Sequence, residues 1–134
     1  MRLSGRIING GQVKAEAVVV DVPFSFIGDF DPKTGTLNIA GQEASGLSIT
    51  GKILVCPTGK GGTIAPFITY DAKKRGTAPA AILCESAEAI LCESALAIDI
   101  PILDRFEGGI VDRIKTGQMV SISENQVTVE RGTD

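Results

Sequence analysis

Between an apolar run that ends at Cys56-Pro57 and a helix-like stretch that starts near Ile64 lies a glycine-rich loop, Thr58-Gly59-Lys60-Gly61-Gly62-Thr63. Glycines let a backbone turn tightly enough for several N–H groups to converge on one anion. A helix that follows adds positive potential through its unpaired first-turn donors. Lys60 supplies a cation and Thr63 a hydroxyl at the helix start. The chemistry that fits is the holding of a carboxylate or phosphate, with Lys60, Gly61 and Gly62 as the binding residues. The competing reading is a plain strand-to-helix turn with Thr63 as its N-cap. A Walker loop is excluded, because the spacing G-x-x-x-x-G-K-[ST] is missing.

Cys56, Cys84 and Cys92 are separated by 28 and 8 residues, which matches no common zinc or cluster run. Cys56 and Cys84 each end an apolar run, where cysteine usually serves as a small buried hydrophobe. No metal ligand is therefore assigned, and a self-contained metal protein is the weakest of the functional readings. Asp29 and Asp31 are candidate bases in the loop 25–35, although most loop carboxylates are simply solvated. That region also carries Phe24, Phe26, Ile27 and Phe30. They form either a satellite core under the loop or an exposed patch for docking a partner. Histidine is absent. Its absence removes Ser-His-Asp and Cys-His catalysis, phosphohistidine transfer and every His-based metal site.

The elements that must hold the loop follow from local pattern. Residues 51–57 read as a buried strand ending at proline, and 80–84 as another. Between them, 64–75 reads as a helix with Pro66 in its first turn and Gly76 as its stop. Its expected inward side is Ile64, Phe67, Ile68 and Ala72. Residues 51–84 thus form a strand–loop–helix–strand unit, which requires a parallel strand pair. Elsewhere, 6–8 and 16–21 read as strands on either side of the turn Asn9-Gly10-Gly11. A polar excursion from 23 to 51 contains the turn 31–35 and a short strand at 37–39. The string ILCESA occurs at 82–87 and again at 90–95. The first copy is expected to end a strand and the second to lie in a helix, since Ala87-Glu88-Ala89 favours one. A strand at 98–103, a loop at 112–117 and a hairpin pairing 119–122 with 126–129 complete the chain, before a tail at 131–134 expected to fray. The expected fold is α/β, strand-rich, with two or three short helices.

A chain of 134 residues fits one compact domain, here 1–134, and buries roughly two-thirds of its unfolded surface without needing staples. With 13 Lys+Arg against 16 Asp+Glu and a single Tyr, it offers neither the basic field nor the stacking platforms of a nucleic-acid binder. No apolar run is long enough to cross a membrane. The absence of a signal-peptide core and the odd number of thiols lead to an expectation of a cytoplasmic protein with reduced cysteines.

The order of these motifs resembles the small subunit of the aconitase X family. The resemblance runs from Gly5-Arg6 to about Val129. It includes Ser25-Phe26 through Asp31-Pro32-Lys33-Thr34-Gly35, the stretch 46–57, the loop 59–63, Gly76-Thr77-Ala78-Pro79-Ala80-Ala81-Ile82 and Ile100-Pro101-Ile102. It implies a swivelling β/β/α domain that works with a large catalytic subunit as a heterodimer. It also implies that a [4Fe-4S] cluster sits on that partner, with no cofactor on this chain. The implied reaction is loss of water from (R)-5-phosphomevalonate, a small phosphorylated hydroxy acid, giving trans-anhydromevalonate 5-phosphate in an archaeal mevalonate route. In it the cluster iron acts as Lewis acid on the leaving hydroxyl, and a hydroxyl of the glycine loop takes the proton α to the carboxylate.

The chain departs from the family pattern inside that loop. The pattern reads Gly-Arg-Gly-Ser followed by Ser or Thr; here Lys60 replaces the arginine and Gly62 stands at the position of the proton-accepting serine. An aromatic is replaced at Ile27 and a glycine at Asp29, and a His-Pro pair common before the Gly51-Lys52 strand is missing. Thr63, one residue on, keeps a hydroxyl and is the candidate proton acceptor. The alternative is a divergent, non-catalytic regulatory or scaffolding module of the same fold.

Overall fold

The computed structural model describes residues 1–130; the tail at 131–134 lies outside them. Short β-branched runs divided by glycine turns become eight strands: β1 (Arg2–Ser4), β2 (Arg6–Asn9), β3 (Gln12–Val19), β4 (Ile53–Cys56), β5 (Ala81–Cys84), β6 (Ile102–Asp104), β7 (Met119–Ser123) and β8 (Gln126–Val129). Two helices, α1 (Ala65–Arg75) and α2 (Ala89–Ala97), and a 3-10 turn at Val111–Arg113 complete them. No helix among the described residues is long and apolar enough to cross a membrane.

The strands form one sheet in the order β1-β8-β7-β3-β4-β5-β6-β2. Its centre is parallel, β3 on β4, β4 on β5 and β5 on β6, and its flanks are antiparallel. The two end strands, β1 and β2, are joined through Gly5 alone, so the sheet curls until it is nearly closed. The glycine turn at 9–11 does divide two strands, but they are not partners: β2 pairs with β6, and β3 with β7 and β4. A turn residue determines where a strand stops; burial of its two faces decides its neighbour.

Each central strand is buried on both faces, and its alternate side chains enter different cores. Leu54 and Cys56 of β4 join Ile82 and Cys84 of β5 on the helix side. Ile53, Val55, Ala81 and Leu83 face the opposite side, against Leu3, Phe106 and the 119–129 hairpin. This is the period of two expected of a strand, with no polar face left over.

Two expectations, the strand at 37–39 and the inward face of α1, are corrected, and the two readings of the aromatic loop are decided. The excursion 21–52 has only isolated bridges, including Phe30–Leu37, rather than a strand at 37–39. Its aromatic residues are core, not a docking patch: Phe24, Phe26 and Phe30 are 1, 1 and 4% exposed. Phe26 meets both neighbours edge to face, with centroids 4.9 and 5.3 Å apart. A long segment without ladder pairing needs its own apolar centre, and these rings provide it with Leu37, Ile39 and Ile49. Ile27 is only half-buried.

The second correction concerns α1. It ends as predicted, at Gly76, whose φ of 78° is the left-handed cap conformation. Of its expected inward side, Ala72 is buried and Ile68 packs half-buried on the core, but Ile64 and Phe67 face outward and the buried positions are completed by Ala65 and Thr69. Close packing against α2 selects the small side chains, and the Thr69 hydroxyl donates to the Ser94 carbonyl of α2 at 2.9 Å. Apolar content alone would choose the wrong face.

Candidate functional site

The loop 58–63 leaves β4, turns, and enters α1, and two layers of hydrogen bonds hold it to the segment 24–29. Phe24 N–H donates to the Thr58 carbonyl at 2.9 Å, and Lys60 N–H returns to the Phe24 carbonyl at 3.1 Å. The Ser25 hydroxyl donates to the Gly61 carbonyl at 3.1 Å and accepts from Ile27 N–H at 3.0 Å. Asp29 accepts from Ser25 N–H at 3.0 Å and pairs with the Lys60 ammonium at 3.0 Å. The expected cation of the site is therefore already engaged with a carboxylate, although its side chain remains 48% exposed.

The open valences lie on the backbone. Among the described residues, the N–H groups of Gly61, Gly62, Thr63 and Ile64 find no acceptor in the chain. Ile64, not Thr63, is the N-cap of α1, and no side chain caps this end. A hydroxyl that capped would be held to N–H groups further along; the Thr63 side chain is exposed and forms no hydrogen bond within the described residues. The neighbouring α2 differs. Glu88 caps it, accepting from Ile90 and Leu91 N–H at 2.9 and 2.7 Å. Thus an anion already sits at the start of α2, whereas the positive end of the eleven-residue α1 is left facing solvent.

Two surface cavities lie elsewhere, the larger about 670 Å³ and bordered by Asp21, Gln42, Lys115 and Thr116. Neither is lined by any residue of 58–63. At the end of the loop, Gly62, Thr63 and Ile64 are exposed at the surface.

The thiols are not part of this site. Cys56 and Cys84 face each other across β4 and β5, and both are buried. Burial pushes the Cys56 thiol up to about 12. It raises Cys84 too, aided by the neighbouring Cys56, and raises the half-buried Cys92 on α2. Cluster iron and zinc require converging thiolates, and among the described residues no three His, Cys, Asp or Glu side chains are placed to hold a metal ion. A direct consequence of the thiols' burial is selective alkylation. At pH 8 iodoacetamide is expected to modify Cys92 slowly in the native protein. Cys56 and Cys84 should react only after unfolding, since their thiolate fractions are negligible. Peptide mass spectrometry reads this out, and native labelling of Cys56 at the unfolded rate would contradict it.

The family model for the aconitase X swivel domain matches residues 2–131. The chain belongs to the aconitase X swivel-domain family. Its fold supports the same assignment: the crystal structure of Thermococcus kodakaraensis aconitase X superposes with a TM-score of 0.89 at 39% identity, covering 98% of this chain and 99% of that one. The phosphomevalonate dehydratase small subunit of Thermococcus kodakarensis is 42% identical over 97% of this chain and 96% of its own length. That of Methanosarcina acetivorans is 35% identical over 97% and 90%.

The four positions at which the resemblance implies a departure, 27, 29, 60 and 62, meet in two pairs. Lys60 pairs with Asp29. Gly62 packs against Ile27, whose terminal methyl occupies the space a Cβ at 62 would need. Gly62 also has a φ of 98°, a conformation that L side chains rarely adopt. Serine at 62 thus conflicts with the backbone and would also require the end of the half-buried Ile27 side chain to shift. A Cβ there would lie 3.7 Å from the Ser25 hydroxyl, so a second hydroxyl is present close by. Spacing carries no sign of the part Ser25 and Asp29 play. Ser25 is 36 positions from Gly61, and only the folded segment 24–29 brings them to the loop.

Proposed function

We propose that this chain is the small, swivelling subunit of a hydro-lyase that dehydrates (R)-5-phosphomevalonate to trans-anhydromevalonate 5-phosphate in a mevalonate route. The observation that carries this reading is its end-to-end similarity to phosphomevalonate dehydratase small subunits. The exposed end of the loop supports it, since anion-holding groups that reach the surface suit a subunit that completes a shared site. The large subunit supplies the remaining groups, and the [4Fe-4S] cluster resides there. The pair works in the cytoplasm, where two buried, protonated thiols stay reduced.

The four free N–H groups of 61–64 and the start of α1 hold an anionic oxygen of the substrate. Lys60, shared with Asp29, adds positive charge at the rim; unlike arginine, it grips no carboxylate or phosphate through two parallel bonds. Thr63 Oγ1, ionised, takes the proton α to the carboxylate and becomes the neutral hydroxyl. The electrons of that C–H bond become the new C=C bond, and hydroxide leaves the neighbouring carbon. A threonine hydroxyl has a very high intrinsic pKa. It accepts a proton only where helix potential and N–H donors stabilise its anion, and the uncapped end of α1 provides both.

The test is to purify this chain with its large subunit and follow (R)-5-phosphomevalonate by phosphorus NMR. Conversion to the anhydro product is expected from the pair and from neither subunit alone. A stably assembled pair with no turnover would overturn the assignment.

A further inference from the structure

We propose that the outward face of α1, formed by Ile64, Phe67 and Tyr70, is the surface on which the large subunit closes over the loop 58–63. This rests on the reading of the chain as a small subunit, and it deepens that reading by naming the contact.

The three side chains are 56, 74 and 55% exposed. The other large apolar side chains that reach solvent, Met1, Ile7, Leu47 and Leu96, come one each from four different segments of the chain. Positions i, i+3 and i+6 of a helix share one side, so here the exposure forms a stripe. The helix does not need that stripe for its own packing, because Ala65, Thr69 and Ala72 already seat it on α2 and the sheet.

Position identifies the occupant. Ile64 follows Thr63 directly and is the N-cap of α1, so the stripe begins where the loop ends. At about 1.5 Å of rise per residue, Tyr70 lies only some 9 Å along the axis from Ile64. An interface burying roughly 800 Å² per partner is about 30 Å across. A protein that encloses a ligand against loop 58–63 with its interface centred there therefore covers the stripe. The composition also suits an interface centre, where aromatic side chains are enriched and charge is depleted.

Charge gives the partner's chemistry. The last turn of α1 carries Lys73, Lys74 and Arg75. Arg75 is paired with Asp71 at 2.9 Å, and the Lys74 ammonium stands 5.6 Å above the Tyr70 ring. Lys73 and Lys74 remain available. The matching surface of the large subunit is apolar opposite Ile64, Phe67 and Tyr70 and carries carboxylates beyond Tyr70.

The experiment measures the dissociation constant of the pair for the unaltered chain, the double variant Phe67→Ser/Tyr70→Ser, and the control Ile7→Ser. The double variant should bind at least about tenfold more weakly, with an unchanged melting curve because both side chains are exposed. Ile7→Ser should bind as the unaltered chain does. Equal binding by the double variant, in a pair that assembles and turns over, overturns the docking face and leaves the assigned reaction intact. An unaltered pair that assembles without turnover removes the reaction while still testing the face. A chain that sediments as a dimer, becoming monomeric in the double variant, assigns the face to a second copy and overturns the proposal.

Discussion

Thr63→Ala is expected to lower kcat of the assembled enzyme by about 10²–10⁴-fold, the usual range for losing a positioned proton acceptor. KM should change little, because the anion is held by N–H groups of the backbone, which the substitution leaves in place. Thr63→Ser should keep most of the activity, since it keeps the hydroxyl on the same uncapped helix end. Stability should stay within about 0.5 kcal/mol of the starting value, as Thr63 is exposed and bonds to nothing in the described chain. Full activity in Thr63→Ala would remove the assignment and turn attention to Ser25, the hydroxyl nearest the space beside Gly62. Gly62→Ser by itself is not the reciprocal experiment, because Gly62 has a φ of 98°, a conformation that L side chains rarely adopt.

Phe26→Ala is expected to destabilise the isolated chain by about 3–5 kcal/mol, the cost of emptying a buried aromatic site. That is a large share of the roughly 5–15 kcal/mol that holds such a domain folded. The ring is 1% exposed and touches Phe24 and Phe30 edge to face. Its loss should also loosen the loop, because Phe24 and Ser25 carry the hydrogen bonds to Thr58, Lys60 and Gly61. Equilibrium unfolding in urea measures the effect. A change below about 0.5 kcal/mol would mean that the ring lies on the surface after all.

Much of the fold was legible locally. The parallel unit at 51–84, the stop at Gly76, the different fates of the two ILCESA copies and the closing hairpin all rest on period, caps and turn residues. These act over a few positions, so a linear pattern contains them. The partners of β2 and β3 were not legible, because pairing depends on which faces are buried by segments far away in sequence. The inward face of α1 was misread for a related reason. Ile64 and Phe67 are more apolar than Ala65 and Thr69, yet the distance of approach to α2 admits only the small residues.

The site divides along the same line. Linear pattern shows a family, a glycine loop before a helix, the absence of imidazole and a hydroxyl at the loop's end. Folding adds that Lys60 is engaged by Asp29, that the end of Ile27 lies beside Gly62, and that Thr63 is not the cap of α1. The physical reason is that a hydrogen bond, an ion pair or a filled volume needs two groups within a few ångströms. The chain from 24 to 29 reaches the loop 58–63 only after the sheet and its aromatic core have brought them together.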